Sequence, residues 1–135
     1  MAFRQDILYD LEMERAHQLH QIAALYFDGL LTKDLSSIPW APGVILRAPL
    51  AEGGAEVPLV GRENVQAYLS AILPAIQNVQ LEDTYINAAQ TAVMGKAELT
   101  LVTGAKLRVA DLFEVNDEGE IVSQENHYDP RPALG

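Results

Sequence analysis

Lys106-Leu107-Arg108-Val109-Ala110-Asp111-Leu112-Phe113-Glu114-Val115 is the stretch that decides the fold class. Alternate side chains of an extended chain point to opposite faces. One face of this segment reads Leu107, Val109, Asp111, Phe113, Val115. The other reads Lys106, Arg108, Ala110, Leu112, Glu114. A slip of one residue would bury Lys106, Arg108 and Glu114, so the register is well specified. The next residues, Asn116-Asp117-Glu118-Gly119, are typical of a hairpin turn with a glycine in the left-handed region, and Glu120 to Tyr128 reads as the returning strand.

Working toward the N-terminus, Thr91 to Val102 and Val79 to Asn87 read as two more strands, the first joined to Lys106 by the tight Thr103-Gly104-Ala105 connection. Short loops between successive strands imply an antiparallel meander. Further upstream the period changes. Val65, Leu69, Ile72 and Ile76 repeat at helical spacing, with Tyr68 beside them and Pro74 to end the helix. Val44 to Ala48 reads as a short strand closed by Pro49. Asp34 can cap a short helix through Ile38, and Trp40 is expected in the loop after it. From about Asp10 to Leu31, Leu19, Ile22, Ala23, Tyr26 and Leu30 make one apolar stripe of a long helix. Helices first and strands last argue α+β. The expectation is one domain over residues 1–135, a curved antiparallel sheet wrapped around helices with a pocket between the layers.

Composition limits the function. The chain has 135 residues, enough for one core, and no cysteine, so disulfides and thiolate zinc sites are excluded. A formal net charge of −10 without Lys or Arg clusters disfavours nucleic acid and anionic membranes as partners. Met1 to Arg15 carries charges throughout and has no apolar core of a leader peptide, which gives a cytoplasmic expectation. No Walker, dinucleotide or nucleophile-elbow motif is present. His17 and His20 lie three apart, but no carboxylates accompany them in a ligand pattern, so surface histidines are the better reading. No metal or cofactor is expected.

Asp111 interrupts an otherwise apolar face. A buried carboxyl is costly unless paired, hydrogen-bonded or protonated, and burial raises its pKa. Such a group can donate to a developing oxyanion when neutral or act as a base when ionised. The competing reading is a carboxyl satisfied by backbone or water. Tyr26 lies on the inward stripe of the first helix, and a buried tyrosine hydroxyl normally finds a polar partner.

Together these residues resemble the nuclear-transport-factor-2-like superfamily, in its SnoaL-like branch of polyketide cyclases and with the ketosteroid isomerases. The strongest resemblance is Val109-Ala110-Asp111-Leu112-Phe113-Glu114-Val115 with the turn to Gly119 and Glu120-Ile121-Val122, then Glu125-Asn126-His127-Tyr128-Asp129. Tyr26, Lys33-Asp34-Leu35 and Val60-Gly61-Arg62-Glu63 extend it over nearly the whole chain. It implies a cone-shaped fold with an internal pocket and a homodimer through the outer sheet face. Fold alone does not imply reaction.

Carried over by position, Tyr26 and Asp111 match the oxyanion-binding pair of ketosteroid isomerases, a system in which a carboxylic acid is kept neutral. That enzyme's general base falls on Ala48, which cannot move a proton. The closing-strand acid of limonene epoxide hydrolases falls on Asn126. The resemblance turns Gln124, Asn126 and Tyr128 toward the pocket and His127 away, with Trp40, Leu46, Ala48, Tyr68 and Phe113 as apolar walls. The implied ligand is small, mostly apolar, and bears a carbonyl or hydroxyl. Two functions remain open: cofactor-independent isomerisation, cyclisation or dehydration with Asp111 and Tyr26 as the catalytic pair, or a non-catalytic ligand-binding or dimeric scaffold domain.

Overall fold

A computed structural model describes residues 2–135, with side chains described from Ile7 onward. A long helix α1 (Ala2–Thr32) is followed by strand β1 (Trp40–Arg47), a two-residue strand β2 (Leu59–Val60) and helix α2 (Arg62–Ile72). Strands β3 (Ile76–Ile86), β4 (Ala92–Leu101), β5 (Lys106–Val115) and β6 (Ile121–His127) come next, and a short helix α3 (Arg131–Leu134) closes the chain.

The bounds of β5 coincide with the alternating segment. Its burial alternates residue by residue, with Leu107, Val109, Asp111, Phe113 and Val115 all buried. The turn into β6 forms as its sequence requires. Asn116 Oδ1 accepts the backbone N–H groups of Glu118 and Glu120, and Gly119 takes φ 81°. Antiparallel pairing joins β3 to β4, β4 to β5 and β5 to β6.

Two expectations are corrected. The residues from Asp34 to Ile38 form turns, not a helix. Lys33 ends α1 at φ 65°, the Asp34 carboxylate accepts the N–H of Ser36 only two residues on, and Ile38 N–H closes on Leu35 carbonyl. That local bond satisfies the aspartate without a helix behind it. The sheet is also not purely antiparallel. β1 starts at Trp40, where a loop was expected, and pairs parallel to β6 with Leu46 beside Gln124. A bulge between Trp40 and Ile45 absorbs Pro42 and Gly43, residues a regular ladder does not favour. The strand order is β2-β1-β6-β5-β4-β3 in one mixed, unclosed sheet.

α1 crosses the inner face against β3 and β4, while α2 packs on β1. Leu19, Ile22, Ala23, Tyr26 and Leu30 are buried as the stripe predicts, and α2 buries Val65 and Leu69. The Lys33 ammonium donates to the carbonyls of Leu73 and Ile76, tying the end of α1 to the turn before β3. Among the described residues no helix is long and apolar enough to cross a membrane.

Candidate functional site

The inner surface has two unlike halves. Toward the β5–β6 turn it is closed by side chains. Toward the other end a cavity of about 630 Å³ remains, within the range of small-molecule sites. Leu30, Ile76, Leu99, Leu101, Leu107 and Val109 form much of its apolar wall. Leu50, Val102, Thr103 and the C-terminal Pro132 to Gly135 also line it. All of these are exposed, so they mark the mouth.

Asp111, Tyr26 and Asn126 sit where the cavity meets the packed half. Register explains the grouping. Asp111 lies opposite Asn126 across the β5–β6 ladder and opposite Gly95 on β4, so both polar side chains emerge on the inner face at one level. Tyr26 reaches them from α1. Its ring is held edge-on or tilted against Phe27, Trp40 and Phe113, at centroid distances of 5.0, 6.4 and 5.0 Å. These three buried rings fix its direction from behind.

A directed set of hydrogen bonds backs the tyrosine. Trp40 Nε1–H donates to Gln124 Oε1 at 3.0 Å, and Gln124 Nε2–H donates to Asn126 Oδ1 at 3.0 Å. This fixes the orientation of the Asn126 amide and leaves its N–H groups free to present. The amides of Asn126 and Gln124 favour the ionised form of Tyr26, whereas burial first and the Asp111 carboxyl second push its hydroxyl well above the usual tyrosine range. Tyr26 is therefore a neutral hydroxyl with its proton available.

Asp111 is 3% exposed, and its Oδ1 atom has no hydrogen-bond partner. Burial lifts its pKa well above the usual carboxylate range, and a backbone hydrogen bond from His127 opposes this only in part. A carboxyl so placed is stabilised in its neutral form. Its unpartnered oxygen can then carry the proton and donate it to a ligand oxygen.

Tyr68 and Tyr128 also line the cavity. Burial raises the pKa of both phenols. Among the described residues the lining contains no Lys, His or Arg; besides Asp111, its titratable side chains are Tyr26, Tyr68 and Tyr128.

Of the residues expected at the pocket, Tyr26, Tyr68, Asp111, Asn126 and Tyr128 line the cavity. Trp40, Leu46, Ala48, Phe113 and Gln124 do not. All five are fully buried, and Trp40, Phe113 and Gln124 support Tyr26 from behind. Ala48 follows the last residue of β1 and is fully buried, and it does not line the cavity. These five share the inward face of their elements but are not among the residues that line the cavity. His127 is exposed on the opposite face of β6, as the resemblance implied. His20 hydrogen-bonds Thr84 at 2.6 Å rather than another histidine, and among the described residues no group of three or more metal-ligating side chains gathers.

No protein-family model matches the chain, and no curated protein matches it in sequence. Solved structures do. A steroid delta-isomerase from Pseudomonas aeruginosa superposes with a TM-score of 0.71 at 21% identity, over 87% of this chain and 83% of that one. A SnoaL-like protein of unknown function from Burkholderia thailandensis gives 0.69 at 20% identity, over 84% and 95%. An NTF2-like protein from Anabaena variabilis gives 0.67 at 20% identity, over 87% and 88%. At these identities the likeness is one of fold.

Proposed function

We propose that this chain, which has the nuclear-transport-factor-2-like fold, binds a small, uncharged, mostly apolar molecule in its cavity and grips one carbonyl or hydroxyl oxygen with Tyr26 and a protonated Asp111. The observation that carries the reading is the unpartnered Oδ1 of Asp111, buried beside the Tyr26 hydroxyl at the closed end of an apolar cavity. Two neutral donors converging on one oxygen favour negative charge developing on it, as in enolate formation. Without a cationic side chain among the described lining residues, a carboxylate or phosphate ligand would lose its hydration with no ion pair in return.

Catalysis of this kind would be cofactor-independent isomerisation, cyclisation or dehydration, with Asp111 as acid or oxyanion donor and Tyr26 assisting. Purely non-catalytic binding is a second reading. It is favoured by Ala48, which occupies the position of a base in ketosteroid isomerases, and by the lack, among the described residues, of any other lining side chain able to take a proton at neutral pH. Turnover separates the two: chromatography coupled to mass spectrometry, which resolves isomers of equal mass, reveals converted product of cyclic enones incubated with the protein only under the first, and Asp111→Asn abolishes that conversion.

Binding is tested with 2-naphthol, whose fluorescence reports an apolar environment, against 2-naphthoate. The expected result is saturable binding of the naphthol and none of the carboxylate. Equal binding of both, or of neither, overturns the reading. A homodimer through the outer face of β3 to β6 belongs to the same proposal. It is checked by oxidative cross-linking of Arg108→Cys, whose side chain projects from that exposed face.

A further inference from the structure

The cavity is polar at a second level. Along β6 the inner side chains run Gln124, Asn126 and then Tyr128, which follows the last residue of the strand. Gln124 is in the core, Asn126 stands level with Asp111, and Tyr128 lies two residues further on. At about 3.3 Å per residue, that is a step of about 6.6 Å along the inner face, away from the packed interior. Helix α2 brings a second phenol to the same space. Tyr68 and Ile72 are four apart on one side of that helix, and both line the cavity. The two hydroxyls are neighbours. After burial, which acts first on both, the Tyr128 hydroxyl lowers the pKa of Tyr68, and the Tyr68 hydroxyl raises that of Tyr128. The Asp111 carboxyl adds to the rise at Tyr128, so the two polar levels face one space. Both phenols are half-buried, and the wall around them is apolar, with Leu99, Leu107 and Val109.

A ligand with only one oxygen suits the wall but not these phenols. Its apolar body, seated against them, would strip water from two hydroxyls and return nothing. Phenylalanine at both positions would hold such a body without that cost. Two hydroxyls carry two protons and four lone pairs, and a bond from one to the other uses one of each. The pair can still donate once and accept from a ligand. Asp111 and Tyr26 instead both aim protons at one accepting oxygen. A hydroxyl, which donates and accepts, is the complement of the tyrosine pair. We infer that Tyr68 and Tyr128 form a second polar subsite, and that the cavity takes a ligand with two oxygens at opposite ends of a rigid apolar body: a carbonyl or phenol oxygen at Asp111 and Tyr26, and a hydroxyl at the tyrosine pair. The inference rests on the proposed grip at Asp111 for the first oxygen only; the second contact has its own readout.

Two probes of the same size separate polarity from fit. In 2,6-dihydroxynaphthalene the oxygens stand at opposite ends of two fused rings, and in 6-methyl-2-naphthol a methyl group replaces the second hydroxyl. Fluorescence titration of the full chain is expected to show the diol bound about tenfold more tightly, the usual worth of one good hydrogen bond. A second hydroxyl without a partner would weaken binding instead, because it loses its water. The double variant Tyr68→Phe/Tyr128→Phe keeps both rings. It should erase the diol's advantage, apart from the twofold that the diol's symmetry supplies, and leave the affinity for 6-methyl-2-naphthol unchanged or higher. Tyr26→Phe should weaken both probes alike. If 6-methyl-2-naphthol binds and the diol binds no more tightly, the subsite is overturned and the grip at Asp111 stands. An advantage that survives in the double variant overturns it as well. Binding of the diol alone, lost in the double variant, supports the subsite and counts against the grip. Binding of neither probe overturns both.

Discussion

Burial of the Asp111 carboxyl raises its pKa well above the ordinary value, so the folded chain holds a proton that the unfolded chain releases. Between the unfolded pKa near 4 and the raised folded one, the native state binds more protons, and stability falls as pH rises through that window. Below the window the penalty is absent; above it the penalty is complete and flat. Asp111→Asn, which cannot ionise, should raise the melting temperature at neutral pH and flatten its fall with pH in thermal melts taken from pH 4 to 9. The same proton serves the ligand, so 2-naphthol affinity of the natural chain should weaken as pH rises through the folded pKa of Asp111. Tyr26→Phe leaves the rings packed and removes one donor, so it should cost about tenfold in affinity, the usual worth of a good hydrogen bond. Asp111 was legible because strand parity exposed a carboxyl on an apolar face. The role of Gln124 was not: its link to the Trp40 indole depends on β1 lying parallel to β6, which no local pattern announces.

Among elements, β4 shows how closely the sheet and helix meet. A Cβ placed on Gly95 would collide with the ring of Phe27, and that ring is locked between Tyr26 and Phe113. It has nowhere to retreat, so Gly95→Ala should destabilise by about 1–3 kcal/mol, the usual range for overpacking, in a denaturant titration. The glycine also sits opposite Asp111 on β5, so the variant should disturb ligand binding as well. Sequence reading recovered the elements whose period is long and regular. β5, the β5–β6 turn and the stripe of α1 follow from alternation, an Asn–Gly turn and 3/4 spacing. It failed where neighbours distant in sequence decide. The Asp34–Ile38 segment had a capping residue but no length of periodic apolar sequence behind it. Trp40 became a strand residue because Pro39 carbonyl accepts Ile121 N–H and opens the ladder there.

Over the whole molecule, one continuous inner face is half filled and half hollow, and β4 runs through both halves. Val93 and Leu99 lie on the same side of the same strand, both buried, and sequence alone does not tell them apart. Val93 is in the filled half, opposite Phe113, and is not part of the cavity wall, whereas Leu99 is. Parity gives the face, and only the assembled layers give the depth. The same substitution should therefore have opposite consequences. Val93→Trp has no space to enter and should cost several kcal/mol or prevent folding, because close-packed interiors do not absorb a large ring. Leu99→Trp can place its ring in the open volume, so the melting temperature should hold or rise while 2-naphthol binding disappears. Differential scanning calorimetry together with the fluorescence titration reads both. A Leu99→Trp variant that unfolds as readily as Val93→Trp would mean that the cavity end is as tightly filled as the other, and the binding proposal would fail with it.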